Sequence, residues 1–474
     1  MQYGPVDIPR VMLAALRGGS GKTVLSIGLI AALCQQNKTV APFKKGPDYI
    51  DAGWLAMAAG RPCYNLDHFL ADAKDVCQSF LLHASAPDID IALIEGNRGL
   101  YDGLDAEGST STASLSKILQ APVLLCLDCT KSTRTMAAVV LGCLHFDPSV
   151  KIQGVVLNRV AGNRHERILR ETIERYCGIP VIGALPKLDA EDFPERHMGL
   201  IPTPEHALVN RAIETAARTV SRHVDLYAVL KIADSARSSP MDCLDGGTSN
   251  PVVHLGASAP RIGVFRDTAF QFYYPDNLEA LTAAGAKLIY ISPLSESQLP
   301  ADIDALYIGG GFPETHALRL ADNLSFRKSV KAAADAGLPI YAECGGLMYL
   351  GESLVLDTSY PMAAVLPIVF GFSKKPQGHG YTRVVVDTQN PYYPVGTELR
   401  GHEFHYSNVL EWKGGRGDTV FAMRKGKGVV DRRDGICYRN VLATYTHVHA
   451  LGTPQWAEAL VGMARRKNGG AARS

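Results

Sequence analysis

Short, almost uninterrupted apolar runs alternate with helix-like segments along the first half of the chain. These runs are rich in leucine and β-branched residues, and they lie at residues 11–16, 89–94, 123–127, 155–157 and 181–185. Runs of this length are typical of buried strands in a parallel sheet that is covered on both faces. The segment at 23–36 instead repeats apolar residues at helical spacing. The pattern predicts a doubly wound α/β domain.

A change in composition divides the chain into two parts. The stretch SARSSPMDCLDGGTSNP is rich in Ser, Gly, Pro and Asp, which favours a linker. A second α/β series follows, with strand-like runs at 262–265, 288–291, 305–308 and 340–342. The final RRKNGGAARS is basic and small and predicts a disordered tail. We therefore expect domains at 1–235 and 260–462, a linker at 236–259 and a tail at 463–474.

Composition and charge narrow the class of protein. The chain has 474 residues, of which 46% are hydrophobic and 20% charged, and its net charge is +1. No overall field therefore draws it to nucleic acid or to a membrane surface. No apolar run approaches the ~20 residues of a membrane helix, and no basic segment precedes the first apolar run. We expect a cytoplasmic protein without nucleic-acid or membrane partners.

A glycine-rich loop, LRGGSGKT at 16–23, follows the first predicted strand and precedes a predicted helix. In that setting the glycines let backbone N–H groups face phosphate oxygens, and the helix N-terminus adds partial positive charge. The lysine would meet the β- and γ-phosphates, and the threonine would offer a hydroxyl to Mg²⁺. We expect a nucleotide site, with ATP as the default ligand, formed by Gly18, Gly19, Ser20, Gly21, Lys22 and Thr23.

Acidic residues stand where two predicted strands end. Asp48 and Asp51 follow the strand near 40–43, whereas Glu95 and Asp102 follow the strand at 89–94. The carboxyl ends of parallel strands meet at one edge of a sheet, where ligands bind. Magnesium prefers oxygen ligands. These carboxylates are therefore expected to converge on the nucleotide phosphates and their Mg²⁺.

A candidate thiol nucleophile lies in the second half. PIYAECGGLMYL at 339–350 predicts a strand, a sharp glycine turn and a helix, with Cys344 at the turn. A nucleophile at such a turn stands clear of the sheet, and the helix dipole favours the thiolate. Backbone N–H groups at this turn and at YIGGGFPE would stabilise an oxyanion and bind the substrate amide, which singles out Gly345, Gly310 and Gly311.

A cysteine nucleophile also needs a base. About a hundred residues later, ATYTHVHA supplies two histidines. We assign His447 as the base and keep His449 in reserve.

Taken together, these segments resemble the cobyrinic acid a,c-diamide synthase family, glutamine amidotransferases of the corrinoid pathway. The likeness runs from about residue 11 to about 450, and its most specific stretches are FKKGPDYID, EGNRGLYDG, LNRV, ERHMGL, RDTAFQFYYPDN, GGGFPE, ECGG and GHEFHYS. The resemblance implies a dethiobiotin-synthetase-like P-loop domain followed by a class I glutamine amidotransferase domain. It also implies a carbon–nitrogen ligase that uses ATP, Mg²⁺ and glutamine to amidate the a and c acetates of a tetrapyrrole polycarboxylate, cobyrinic acid.

The resemblance also implies roles for single residues. It gives metal contacts to Thr23, Asp48 and Glu95, substrate contacts to Lys45, Asp51 and Asp102, the adenine edge to Asn158 and the catalytic imidazole to His447. One departure concerns the base. Many glutaminase domains have a His-x-Glu, whereas this chain has a second histidine at the third position. This predicts a cysteine–histidine dyad without an acid that orients the imidazole.

Two alternatives stay open at the level of sequence. The same reaction on another tetrapyrrole, nickel-sirohydrochlorin or hydrogenobyrinic acid, is the nearer alternative to cobyrinic acid, because no residue reports the ring or its metal. A partition-type ATPase switch is the other alternative, with Arg17 where such proteins carry a signature lysine. That alternative leaves the cysteine turn unexplained. The sequence also leaves open whether the chain forms a homodimer.

Overall fold

The computed structural model describes residues 7–187, 195–196, 199–200, 209–237 and 259–471. It divides into two compact units. The first comprises Met1–His68 and Asp72–Thr248, and the second comprises Phe69–Ala71 and Ser249–Ser474. Nearly all of the linker expected at 236–259 lies outside the described residues, so that linker and the domain limits beside it stay predictions.

A seven-stranded parallel sheet forms the described part of the first unit, in the order β3-β2-β4-β1-β5-β6-β7. The strands are β1 (Arg10–Ala15), β2 (Val40–Lys45), β3 (Tyr64–Leu66), β4 (Ile91–Glu95), β5 (Val123–Asp128), β6 (Ile152–Val160) and β7 (Val181–Pro186). A two-stranded ribbon follows, β8 (Glu195–Arg196) with β9 (Gly199–Leu200). Strands β1 and β4 are buried along their whole length, as their continuous apolar runs predict.

Helices connect these strands, as expected for a doubly wound α/β domain. They are α1 (Lys22–Gln35), α2 (Tyr49–Ala59), α3 (Ala73–Ala84), α4 (Thr112–Ile118), α5 (Thr135–Phe146), α6 (Asn163–Cys177), α7 (Val209–His223) and α8 (Leu226–Asp234). Because β1 lies beside β4, and β4 beside β2, the carboxyl ends of all three strands meet at one edge. The predicted α/β fold of this half is confirmed.

The second unit, in its described residues, is built on a ten-stranded mixed sheet in the order β12-β10-β13-β15-β24-β23-β22-β19-β20-β25. Its parallel half contains β10 (Arg261–Phe265), β12 (Lys287–Ile291), β13 (Ala305–Ile308), β15 (Ile340–Glu343) and β24 (Val441–Thr444). Its antiparallel half contains β19 (Gly378–Val386), β20 (Glu398–His405), β22 (Thr419–Lys425), β23 (Arg433–Tyr438) and β25 (His447–Val448).

Smaller elements complete this unit. Two short sheets contain β11 (Phe270–Phe272) with β14 (Gly310–Gly311), and β16 (Ser353–Val355), β17 (Ser359–Pro361) and β18 (Ile368–Phe372) with β21 (Ser407–Trp412). Its helices are α9 (Pro275–Ala283), α10 (Ala317–Asp322), α11 (Leu324–Asp335), α12 (Gly345–Leu350) and α13 (Gln455–Ala471), with 3₁₀ turns at Pro313–His316 and Arg416–Asp418. The predicted α/β class of the second half is confirmed as well.

The end of the chain differs from the prediction. Helix α13 continues to Ala471, so the tail expected from residue 463 is wrong for most of its length. The reason is local packing, because Met463 and Ala464 lie in the core beside Trp456 and Leu460 at helical spacing. Within the described residues, no helix combines the length and the hydropathy needed to cross a membrane.

Candidate active site

The phosphate loop is a tight turn between β1 and α1. Gly19 and Gly21 have φ values of 72° and 87°, a region that favours glycine. A Cβ atom on Gly21 would lie 2.2 Å from Nδ2 of Asn158. That amide donates to the Ser20 carbonyl at 2.8 Å. Asn158 therefore fixes the loop from the end of β6, and its predicted contact with the adenine edge stays a prediction.

Thr23 and two of the predicted acids come together beside this loop. The Thr23 hydroxyl donates to Oε1 of Glu95 at 2.8 Å and lies 3.3 Å from Oδ2 of Asp51. Glu95 is fully buried, and its second oxygen, Oε2, is buried without a hydrogen-bond partner among the described residues. A buried carboxylate oxygen without a hydrogen-bond partner can serve as a ligand for a cation.

Lys44, which the sequence analysis did not single out, lies at the centre of this cluster. Its ammonium group donates to Asp51 at 2.6 Å and to Glu95 at 2.8 Å. Burial disfavours the charge, but the two carboxylates outweigh burial and raise the pKa of Lys44. The sequence feature that could have identified Lys44 is its position at the end of a predicted strand, shortly before two of the predicted acids. The resemblance instead implies a substrate contact for the neighbouring Lys45.

The two other lysines of the region are buried without such strong compensation. Burial lowers the pKa of Lys22, and the nearby charge of Lys44 lowers it further. Burial likewise lowers the pKa of Lys45, although Asp67 opposes that change. A weakly compensated ammonium group gains from an anionic ligand. Both residues are therefore placed to favour phosphate or carboxylate groups.

The two remaining predicted acids accept hydrogen bonds from backbone N–H groups. Asp48 caps α2 by accepting the Asp51 N–H at 2.9 Å. Burial and the charge of Asp51 raise the pKa of Asp48 to about 7, so it is partly protonated at neutral pH. Asp102 is exposed and accepts the Gly99 N–H at 2.9 Å, within its own loop. Their metal and substrate roles stay predictions.

The thiol of Cys344 stands at a strained turn between β15 and α12. Its backbone has φ 49° and ψ −99°, outside the usual regions for a residue with a Cβ atom. The Cys344 N–H donates to the Thr444 carbonyl at 2.8 Å, which ties the turn to β24. A Cβ atom on Gly346 would lie 2.5 Å from the Ile308 carbonyl, so only glycine fits there. This is the geometry of a nucleophile elbow.

The predicted oxyanion groups lie beside this turn. A Cβ atom on Gly345 would be 3.0 Å from the Gly311 nitrogen, and one on Gly310 would be 2.6 Å from Cε1 of His447. The two glycine turns and the imidazole are thus neighbours. The Cys344 Sγ also lies 3.9 Å from the carbonyl of Phe404. Phe404 belongs to the HEFH segment, which forms the end of β20.

His447 contacts both Cys344 and a carboxylate. Burial opposes its charge, but the adjacent Cys344 thiol and Glu343 carboxylate raise the pKa of His447 to about 10. Its Nδ1 lies 3.6 Å from Oε2 of Glu343, and both side chains are almost wholly buried. The prediction of a dyad without an orienting acid is therefore wrong. That prediction considered only the His-x-Glu spacing, whereas this acid directly precedes the cysteine.

The reserve histidine, His449, has different partners. Its Nε2 lies 3.5 Å from Oδ2 of Asp276, and its Nδ1 accepts the Leu451 N–H at 3.3 Å. A third imidazole, His402, stacks on His447 with ring centres 4.8 Å apart. Burial and the neighbouring His447 lower the pKa of His402 well below its ordinary value, so it packs there as a neutral ring.

Comparison with known protein families assigns a domain family to each half of the chain. A model of the CobQ/CobB/MinD/ParA nucleotide binding domain matches residues 11–201. A model of the CobB/CobQ-like glutamine amidotransferase domain matches residues 261–455. The chain is thus a glutamine-dependent ligase that carries its own nucleotide-binding domain.

Relatives of known name match nearly the whole chain. It is 43% identical over 455 residues to the cobyrinate a,c-diamide synthase of Magnetococcus marinus, covering 96% of each chain. It is 38% identical to that of Methanosarcina acetivorans, covering 96% of this chain and 95% of the other. With that of Archaeoglobus fulgidus the identity is 39%, over 98% and 100% of the two chains. The chain belongs to the cobyrinate a,c-diamide synthase family.

Proposed function

We propose that this enzyme amidates the a and c acetate groups of cobyrinic acid, using ATP and glutamine. The observation that carries the glutaminase half is the contact of His447 with Cys344 at a strained turn. The choice of corrinoid follows the names of the relatives that match the chain end to end.

In the glutaminase reaction, the Cys344 thiolate attacks the amide carbon of glutamine. The N–H groups of Gly345 and Gly311 stabilise the oxyanion that forms. The carbon–nitrogen bond breaks as His447 gives its proton to the departing ammonia, which leaves a glutamyl thioester. Water, deprotonated by His447, then attacks the thioester carbon. Glutamate leaves as the carbon–sulfur bond breaks, which regenerates the Cys344 thiolate beside a protonated His447.

In the ATP reaction, the γ-phosphoryl group passes to a substrate carboxylate oxygen and ADP leaves. Ammonia attacks the carbonyl carbon of the acyl phosphate, and inorganic phosphate leaves with the oxygen. The phosphate loop and Lys22 bind the nucleotide, and Lys44 keeps Asp51 and Glu95 in place. The acyl phosphate intermediate is needed because ammonia can attack its carbonyl carbon, whereas ammonia does not attack a carboxylate.

The residues present fit a magnesium ion that arrives with the nucleotide. The Thr23 hydroxyl and the unpartnered Oε2 of Glu95 would hold it, together with phosphate oxygens. When bound, the ion would neutralise charge on the transferring phosphoryl group. In the described part of the chain, no group of three or more His, Cys, Asp or Glu side chains forms a metal site by itself.

The decisive experiment separates the two half-reactions. Cys344→Ser is expected to abolish glutamine-driven amidation and to leave ATP-dependent amidation with ammonium salts intact. Cys437→Ser, a half-buried thiol in the same unit, serves as the matched control and should keep both activities. Mass spectrometry of products from a panel of tetrapyrrole acids would show gains of one or two amides. Loss of both activities in Cys344→Ser, or amidation of only another ring, would refute the proposal.

A further inference from the structure

The carboxylate of Glu343 is held in a fixed position beside the imidazole of His447. Glu343 is the last residue of β15 and is fully buried. The Tyr307 hydroxyl donates to its Oε2 at 3.0 Å, and the Val448 N–H donates to its Oε1 at 3.1 Å. Because Oε2 also lies 3.6 Å from Nδ1 of His447, the carboxylate is ordered from three sides.

A buried carboxylate is costly unless its partners compensate for lost hydration. Here one partner is a hydroxyl, one is a backbone N–H and the third is the imidazole. An acid at Nδ1 favours the tautomer with a proton on that nitrogen, which leaves Nε2 to exchange a proton with the thiol. The same acid also stabilises the imidazolium form.

We propose that Glu343 is the positioning residue of the glutaminase site, holding the His447 ring in its productive tautomer and stabilising its charged form. The inference rests on the proposed roles of Cys344 and His447. It places the orienting acid directly before the nucleophile, on β15. The position two residues after the base, where many glutaminases have a glutamate, holds His449, whose own acid is Asp276.

Other groups around His447 do not replace Glu343. The thiol of Cys344 is the reaction partner, and His402 on β20 stacks on the ring as a neutral side chain. The hydroxyl of Tyr307 on β13 donates to the Glu343 carboxylate, and burial raises the pKa of that hydroxyl, so Tyr307 brings no negative charge of its own. Among the described neighbours, Glu343 thus supplies the negative charge at Nδ1.

The first test is Glu343→Gln in the full-length protein. Glutaminase kcat is expected to fall about 10²–10⁴-fold, as for loss of the acid in other triads, with KM for glutamine changed less than threefold. Because the carboxylate raises the pKa of the imidazole, the alkaline limb of the kcat–pH profile should move to lower pH by about one unit or more. ATP-dependent amidation with ammonium salts, measured on the same preparation, should persist.

Asp276→Asn supplies the matched control, since it removes the acid beside the other histidine. It should change glutaminase kcat by less than about tenfold and leave the pH profile in place. An equal loss in both variants would overturn the inference, and so would wild-type kcat with an unmoved alkaline limb in Glu343→Gln.

Glu343→Asp guards against a folding defect, because it keeps the charge with a shorter side chain. It should retain at least tenfold more glutaminase kcat than Glu343→Gln, whereas equal values would show that the charge is not what matters. Cys344→Ser, run in parallel, separates the two proposals. If that variant still hydrolyses glutamine, the proposed function fails. If it is inactive while Glu343→Gln is fully active, only the role of Glu343 fails.

Discussion

The hydroxyl of Thr23 donates to the carboxylate of Glu95 at 2.8 Å, which joins the first turn of α1 to the end of β4. The contact unites two parts of the chain that are separate in sequence, the GKT of the phosphate loop and the acid of EGNRGLYDG. It also leaves the other oxygen of Glu95 buried and unpartnered among the described residues. The nucleotide site is therefore built around a carboxylate with unused capacity to bind a cation.

Glu95→Gln should lower ATP-dependent amidation about 100-fold or more, because an amide is a poor ligand for a cation on the phosphates. ADP release with ammonium salts as nitrogen donor measures this half-reaction alone. Asp90→Asn is the control, since Asp90 precedes the same strand and pairs with Lys38 near the surface. Equal rates in Glu95→Gln and the wild type would contradict the role given to Glu95.

Lys44→Met should destabilise the first unit, because it leaves the buried carboxylate of Glu95 and the half-buried carboxylate of Asp51 without their cation. Breaking a buried pair in this way costs about 3–5 kcal/mol, measured by chemical unfolding. Added Mg²⁺ should raise the Tm of this variant more than that of the wild type, since the ion would supply positive charge near Glu95. Lys38→Met breaks a half-exposed pair near the surface and should cost under ~1 kcal/mol. A small loss in Lys44→Met would show that the cluster is not coupled.

The sequence predicted the nucleotide half well where the signal was local. A strand, a glycine loop and a helix follow one another along the chain, so periodicity and composition suffice to place Lys22 and Thr23. Lys44 was missed for a physical reason. Both faces of β2 are buried, so burial pattern cannot tell which of two adjacent lysines faces the acids of neighbouring strands. That choice depends on the pairing of β2 with β4, which is a long-range contact.

In the glutaminase half, too, the local motifs were predictable from the sequence and the long-range contacts were not. The turn at Cys344 and the later histidines were visible as short motifs, and the structure brings Cys344 and His447 together. Glu343 directly precedes the cysteine in the sequence, but its contact with His447 requires β15 and β24 to pair in register. The spacing of residues around the histidine does not reveal this contact. Long-range sheet pairing, rather than local propensity, decides such contacts.

Gly21→Ala should weaken ATP binding roughly tenfold or more. The positive φ at this position is unfavourable for alanine, and the new Cβ atom would collide with Asn158. Isothermal titration calorimetry with ATP and Mg²⁺ measures the change in Kd. Gly142→Ala in α5 is the matched control, since a Cβ atom there meets open space. Unchanged affinity in Gly21→Ala would mean that the loop does not contact the nucleotide as proposed.

The raised pKa of His447 makes the stability of the protein depend on pH in a defined direction. Its pKa is about 10 in the folded protein and about 6.5 in an unfolded chain, so folding favours the protonated form. This contribution is fully present below pH 6.5 and is lost as pH rises through 10. The free energy of unfolding of the wild type should therefore exceed that of His447→Gln most at pH 6, and the gap should shrink by at least ~1 kcal/mol by pH 10.

Denaturant unfolding at a series of pH values checks this prediction, with the exposed His145→Gln as the control for the substitution itself. The control should stay within ~0.5 kcal/mol of the wild type at every pH. A gap for His447→Gln that is constant or widens with pH would mean that the imidazole is folded in its neutral form. The carboxylate of Glu343 would then not stabilise an imidazolium in the resting enzyme. Its contribution would be confined to orienting the ring, because a neutral imidazole with its proton on Nδ1 still donates to the acid.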